Sequence, residues 1–460
     1  MSPITSLGTI RPSQTMLDEA LALYSGSKEL SIQIEIEPSY AQASCNGKSA
    51  RVPVRERSPQ KSAKYALYCL LAALYGYGQS WGCLTGVKPL KKYSELAKLG
   101  MAESDIALFF SNTYGTSQPK IDLLKASYEV QQSMALPSSC VYINIPLCPA
   151  KCSYCSFPSK TAVPHGSECE LYAQSLIAEI HAIMPYFTQD SKEAACLYIG
   201  GGTPAMLSAS QTAKVLDALY SYSPKFKEAT FEAGRSDLAT VEKLELLKEY
   251  GFTRLCINPQ TFNEPTLRQM NRDISNESFF QAFGLAKELG FTLNSDLILG
   301  FPNESARECD SAIDKLIGLE AENITLHALC KKRTSSMDKY EAMSASWDVS
   351  AFQDFAREKL GLSGYRPYYL YKQKDSANAA ENVGYSKPGF ECAYNTAMMG
   401  EVCDIIGLGA NATTNIVRND GTLAKIYNIK DFILYNNRIE EICAAKIKKI
   451  EYERESKTEN

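Results

Sequence analysis

Between residue 140 and about residue 330, short apolar runs alternate with amphipathic ones through six repeats. The apolar runs are CVYINIP, ACLYIG, ATFEAG, TRLCIN, TLNSDLIL and NITLHAL. Between them lie ELYAQSLIAEIHAIM, SQTAKVLDALYSY, TVEKLELLKEYG and NESFFQAFGLAKELG. The short runs suit strands buried on both faces, and the longer ones repeat their apolar residues at the helical period. Several of the longer runs end at a glycine stop. Strand-helix alternation implies parallel strands joined by right-handed crossovers. The fold class expected is α/β, an open, partial (β/α)6 barrel smaller than the eight-unit closed form. In such sheets ligands bind beyond the carboxyl ends of the strands, so the loops after those ends carry the chemistry.

A chain of 460 residues exceeds one ordinary core. The change of pattern divides it into an N-terminal α+β accessory domain at 1–135, the alternating core at 136–335, and a mostly helical C-terminal extension at 336–460, whose aromatic and glycine content suits a substrate-covering region or simply core. The first stretch holds the alternating LSIQIEIEPSY and the helical YALYCLLAALYGYG. Its turn-rich segment from Trp81 to Pro89 reads as a docking loop or as an interdomain turn. A formal net charge of −4 excludes an overall basic character suited to nucleic acid. No apolar run approaches a membrane span, and the first residues lack a secretory pattern, so a cytoplasmic location is expected.

The segment INIPLCPAKCSYCSFPS places Cys148, Cys152 and Cys155 just after the first strand, at the expected mouth of the site. The other twelve of the 15 cysteines are scattered singly and read mostly as buried small hydrophobes. The three histidines, His165, His181 and His327, stand outside ligand spacing of the trio. A structural zinc site would want a fourth ligand, and a thioredoxin-type pair would be a two-cysteine motif in another context. Thiolates also hold 4Fe–4S clusters, for which the usual protein set is four cysteines. Three from one loop would leave one iron open to a ligand.

C-x3-C-x2-C after the first strand of six βα units, with Tyr154 before the last cysteine, resembles the radical S-adenosylmethionine superfamily. YINIPLCPAKCSYCSF, LYIGGGTPAML, FEAGRSD, NPQTFNEPTLRQMNR, SDLILGFP and ENVGYSKPG, in this order, resemble the oxygen-independent coproporphyrinogen III dehydrogenases, in their HemZ-like branch. The likeness runs along almost the whole chain and includes WGCLTGVKPLK. It implies a 4Fe–4S cluster on Cys148, Cys152 and Cys155 and S-adenosylmethionine bound at the open iron. By the same resemblance Tyr142 lies near the cofactors, the Gly200–Thr203 loop (with Gly201, Gly202 and Thr203) holds the methionine end, and Gln260 and Arg272 contact S-adenosylmethionine.

Each of these residues also has a reading of its own. Successive glycines let backbone approach a ligand closely, or make a tight turn. Glu232 ends the third strand, where a carboxylate could accept from an ammonium or ribose, or be a surface acid. Asp296 is a carboxylate in an otherwise apolar strand, which is costly unless partnered, and a ribose hydroxyl is its expected partner. Arg235 could meet an anion or be a solvated loop residue. Lys331, Lys332 and Arg333 are the cations expected to meet the propionates of a tetrapyrrole, though a solvated charge run has the same composition.

The resemblance implies oxidative decarboxylation of coproporphyrinogen III, with a separate electron donor and acceptor, no nucleic acid and no membrane span. Two rivals share it: a haem-binding chaperone, whose HNxxYW-type signature is replaced here by AENVGY, and an enzyme acting on another tetrapyrrole such as haem. Asn144 stands where better-known relatives have histidine.

Overall fold

The computed structural model describes residues 4–24, 27–54, 58–86, 88–188, 196–222, 225–330, 335–337, 346–374 and 376–458. It contains two compact units, 1–129 with 370–381, and 130–369 with 382–460.

In the smaller unit, Ile4–Gly8 pairs in parallel with Ile32–Ile36, and Tyr40–Cys45 and Lys48–Pro53 continue the sheet antiparallel. The strict alternation of IQIEI buries Ile32, Ile34 and Ile36 completely, and the helix Pro59–Tyr75 covers them with Ala63, Ala66, Leu67, Leu70 and Leu71. Trp81 is buried rather than presented for docking. Its indole N–H donates to Glu381 Oε2 at 2.7 Å, and Lys120 Nζ donates to Glu381 Oε1 at 2.8 Å. Buried Lys372 donates to the Leu84 carbonyl and lies 5.1 Å from the Trp81 ring centre.

The larger unit is built on the six predicted strands: β1 Ser139–Ile145, β2 Cys196–Gly201, β3 Glu228–Gly234, β4 Arg254–Ile257, β5 Thr292–Leu299 and β6 Asn323–Ala328. All five pairings between consecutive members are parallel. The intervening helices include α1 Ser167–Ile183, α2 Ala209–Tyr220, α3 Val241–Glu249, α4 Asn276–Glu288 and α5 Ala306–Gly318. Side chains of Ser208, Thr240, Ser275 and Ser305 cap the last four of these, each accepting a backbone N–H of the first turn. Such a cap is worth about 1 kcal/mol and fixes where each crossover helix starts.

The C-terminal region is rich in helix and also supplies five strands that the sequence pattern did not reveal. These are β7 Arg366–Lys372, β8 Glu381–Ser386, β9 Asp404–Leu408, β10 Thr413–Val417 and β11 Leu423–Tyr427. The sheet order is β7-β8-β6-β5-β4-β3-β2-β1-β9-β10-β11. Strand β8 pairs antiparallel with β6, and β9 pairs in parallel with β1. The helix Ile439–Thr458 is tied in by Lys446, whose ammonium meets the fully buried Glu179 of α1 at 2.8 Å. Asn428, Tyr435 and the Gly409 N–H satisfy the same carboxylate, which is therefore structural. Among the described residues no helix is long and apolar enough to cross a membrane.

Candidate functional site

Side chains alternate across a strand, so one face of β1 to β6 carries Val141, Ile143, Leu197, Ile199, Phe231, Leu255, Leu293 and Leu326, all buried. The other face is polar and aromatic. Tyr142 and Tyr198 are register partners and ring neighbours at 6.3 Å. The Tyr198 hydroxyl donates to Glu232 Oε1 at 2.5 Å, and Asn258 Nδ2 donates to Asp296 Oδ2 at 2.9 Å. His327 Nε2 stands 3.5 Å from the same Asp296 oxygen. A face of this composition is a poor core and a good ligand wall.

Tyr394, from the helix Ala393–Gly400, stacks on Tyr198 at 4.3 Å and on Tyr142 at 5.9 Å. Its position is set from below, because Glu228 at the start of β3 accepts the N–H groups of Ala393 and Tyr394. A carboxylate there also favours the positive end of the helix dipole.

The cysteine loop leaves β1 and returns through a short pairing of Leu147–Cys148 with Lys160–Thr161. Ser153 N–H donates to the Met270 carbonyl and Asn271 Nδ2 to the Lys151 carbonyl, which anchors the loop over the β4 end of the sheet. Tyr154 packs edge-on to Phe301. All three thiols are partly exposed, and burial raises that of Cys155 above the ordinary thiol range. No three Cys, His, Asp or Glu side chains among the described residues converge closely enough to hold a single ion.

The glycine loop after β2 lies directly against this segment. A Cβ on Gly202 would come within 2.7 Å of the Leu147 carbonyl oxygen and 2.9 Å of Cys148 Sγ. Thr203 Oγ1 donates to Cys148 Sγ at 3.6 Å. Gly201, at φ +119°, donates its N–H to Glu232 Oε2, and a Cβ there would overlap Asn144 Oδ1. Asn144 is itself occupied: its Oδ1 accepts from the Tyr142 hydroxyl and its amide donates to the Ala410 carbonyl.

Burial raises the Glu232 carboxyl to about 7; Asp296 adds to the shift, while the Tyr198 hydroxyl and the Gly201 N–H oppose it. Gln260 is held at φ +67° by backbone bonds to Asp296 and Ile298, a conformation that costs a non-glycine residue about 1 kcal/mol or more. Arg272 donates to the carbonyls of Gly234 and Asn258 and lies beside Tyr154 and Cys152. Gln260 Oε1 and Arg272 Nε are buried and make no hydrogen bond within the protein. These orphaned atoms, Gly202 packed against Cys148, and the acidic wall fit a thiolate-held cluster with a cationic nucleoside beside it.

Cys148, Tyr142, Gly201, Gly202, Thr203, Glu232, Asp296, Gln260 and Arg272 are thus linked by direct contacts or by shared partners. Arg235 closes its fork on neighbouring Asp237, with Nε to Oδ1 at 3.0 Å and an Nη to Oδ2 at 2.8 Å. Lys331, Lys332 and Arg333 lie outside the described residues. Sequence reasoning missed Asn258, His327, Asn382 and Tyr394. Strand parity could have found His327, which stands two residues beyond the position facing Asp296.

Residues 142–316 match the Radical SAM superfamily. The oxygen-independent coproporphyrinogen-III oxidase-like protein HemZ of Bacillus subtilis (strain 168) is 33% identical over 408 residues, 85% of this chain and 81% of its own length. The heme chaperone HemW of Escherichia coli (strain K12) is 27% identical over 300 residues, 63% of this chain and 73% of its own. Among solved structures, the radical SAM enzyme coproporphyrinogen III oxidase (HemN) from Escherichia coli has a similar fold. Its TM-score is 0.54 at 21% identity, over 68% of this chain and 72% of that one.

Proposed function

The chain belongs to the radical S-adenosylmethionine superfamily, in the HemZ-like branch of the oxygen-independent coproporphyrinogen-III oxidase family, and on that premise we propose that it oxidatively decarboxylates coproporphyrinogen III to protoporphyrinogen IX. The superfamily's cofactors are a 4Fe–4S cluster and S-adenosylmethionine. The observation that carries the reading is the contact of the cysteine loop with the glycine loop and, through Gly201, with Glu232.

Cys148, Cys152 and Cys155 would hold the cluster. Bound together, the two cofactors supply one-electron cleavage of a sulfonium and hence a carbon radical able to take hydrogen from an unactivated position. The protein's part is to bind, orient and keep water out. The backbone at Gly201, Gly202 and Thr203 receives the amino-acid end of the nucleoside, with Glu232 as the carboxylate for its ammonium. Asp296 takes the ribose, and Gln260 and Arg272 supply the buried polar atoms that lack partners. Tyr142, stacked on Tyr394, walls the inner face of β1.

In the net reaction each of two propionates loses a β-hydrogen, carbon dioxide and one electron, leaving a vinyl group. An electron donor and an electron acceptor are therefore partners. The run Lys331 to Arg333 supplies the cations proposed for the propionates, since the fork of Arg235 is already closed on Asp237. A reducing, cytoplasmic setting is part of the proposal, supported by cysteines that are all free thiols. A second reading, haem handling without decarboxylation, is favoured by the likeness to heme chaperones.

Anaerobic incubation with coproporphyrinogen III, S-adenosylmethionine and a reductant tests the choice. Carbon dioxide and protoporphyrinogen IX, preceded by a monovinyl intermediate, are expected. Haem retention or consumption with no decarboxylated porphyrin would overturn the proposal in favour of a relative's role.

A further inference from the structure

Three tyrosine rings from three elements meet beside Glu232. Tyr198 of β2 stacks at 4.3 Å on Tyr394 of the helix Ala393–Gly400 and lies 6.3 Å from Tyr142 of β1. Their hydroxyls part company: that of Tyr142 donates to Asn144 Oδ1 at 3.0 Å, whereas that of Tyr198 donates to Glu232 Oε1 at 2.5 Å. The register explains the reach. Tyr198 is the partner of Thr230, so Glu232, two residues on, stands on the same face and diagonally ahead. Gly200 leaves the room between them, because a Cβ there would meet Glu232 Oε2 at 2.8 Å. The carboxyl group thus lies back over β2, with Oε1 on the Tyr198 hydroxyl and Oε2 on the Gly201 N–H at 3.3 Å. Cys256 Sγ is 3.9 Å from the same hydroxyl, but a phenol has one hydrogen and the much shorter contact takes it.

Donors facing a buried carboxyl favour its ionised form, and the phenol is the donor whose aim the ring stack holds. We propose that Tyr198 is a positioning residue of the ligand wall: its hydroxyl fixes the direction of the Glu232 carboxylate and keeps it ionisable in a buried site, ready for a ligand cation. Phenylalanine would fill the same space and do neither. The ligand's part rests on the function proposed above; the hold of Tyr198 on Glu232 does not. Other titratable groups face Glu232 from the elements packed against it: Tyr142 on β1, Cys256 on β4, Asp296 on β5, His327 on β6 and Tyr394. Asp296 opposes ionisation of Glu232 and His327, whose Nδ1 lies 3.2 Å from Asn382 Oδ1, aids it.

Tyr198→Phe keeps the ring, removes the hydroxyl and leaves all those groups in place. In anaerobic, cluster-loaded protein the infrared band of protonated Glu232, identified by its absence from Glu232→Gln, is followed against pH. Wild type should be half-protonated at about pH 7, and Tyr198→Phe at about tenfold lower proton concentration, as for loss of one charge-assisted hydrogen bond. Tyr142→Phe loses a hydroxyl from the same ring cluster but none from Glu232, and should keep the wild-type midpoint. An unmoved midpoint in Tyr198→Phe, or equal movement in both variants, would overturn the proposal.

The second readout is calorimetric affinity for S-adenosylhomocysteine. At unchanged iron content Tyr198→Phe should bind about fivefold more weakly at pH 7, with the deficit shrinking by about pH 8.5. A deficit of the same size at both pH values would mark a merely structural role and overturn the proposal. A wild-type protein that fails to bind the nucleoside overturns the functional reading instead, and leaves Tyr198 to the infrared titration.

Discussion

Changing Glu232 to glutamine should uncouple cofactor binding from protons. Burial and the Asp296 charge raise this carboxyl from 4.5 to about 7, a bias of roughly 3 kcal/mol against its ionised form. Because the folded-state value is the raised one, the carboxyl's contribution to stability is complete below about 4.5. It is lost as the pH climbs through about 7. A ligand ammonium set against Glu232 favours ionisation, so binding must expel the proton. At pH 6 about nine-tenths of the carboxyl is protonated, and affinity for S-adenosylmethionine should be about tenfold weaker than at pH 8. Calorimetry in two buffers of different ionisation enthalpy should therefore count nearly one proton more released by wild type than by Glu232→Gln at pH 6. The variant should bind more weakly at pH 8. The Asp296–His327 pair is present in both proteins, so the difference isolates Glu232. Identical pH dependence in the two proteins would refute the placement of a cation at this carboxylate.

Replacing Cys148, Cys152 and Cys155 together by alanine should remove about four irons per chain and the broad charge-transfer absorption of anaerobically reconstituted protein; iron analysis decides. Gly202→Ala should strain the cysteine loop, because the new methyl meets the Leu147 carbonyl oxygen at 2.7 Å. A cost of about 1–3 kcal/mol is expected and should be visible as faster iron loss to a chelator at unchanged far-ultraviolet dichroism. Trp81→Phe leaves buried Glu381 one donor short and should destabilise the smaller unit by about 1.5–3 kcal/mol, read from urea unfolding.

The six parallel strands were legible because each is a compact apolar run, and Ser or Thr caps mark where four of the crossover helices begin. The thiol trio stood out by its spacing in one loop, and the resemblance gave it a role. Strands β7 to β11 were not, because RPYYLYK begins beside a proline and DIIGL, TTNIV and LAKIY are only five residues long. Such segments become strands by pairing with a sheet already formed, which is tertiary information. The roles of Asn258 and Asn382 were hidden for a similar reason. An asparagine has no intrinsic preference that says which carboxylate or ring it will orient. Gln260 is the opposite case, since its left-handed backbone exists only through bonds to Asp296 and Ile298.

The central claim is that one polar strand face, beside a three-cysteine loop, binds the nucleoside of a cluster-bound S-adenosylmethionine. An anaerobic crystal structure of the reconstituted protein with S-adenosylmethionine tests it most directly. The account predicts three cysteine-ligated irons and the nucleoside within hydrogen-bond reach of Glu232, Gln260, Arg272 and Asp296. A fourth protein ligand on the cluster, or a nucleoside bound away from that face, would contradict it.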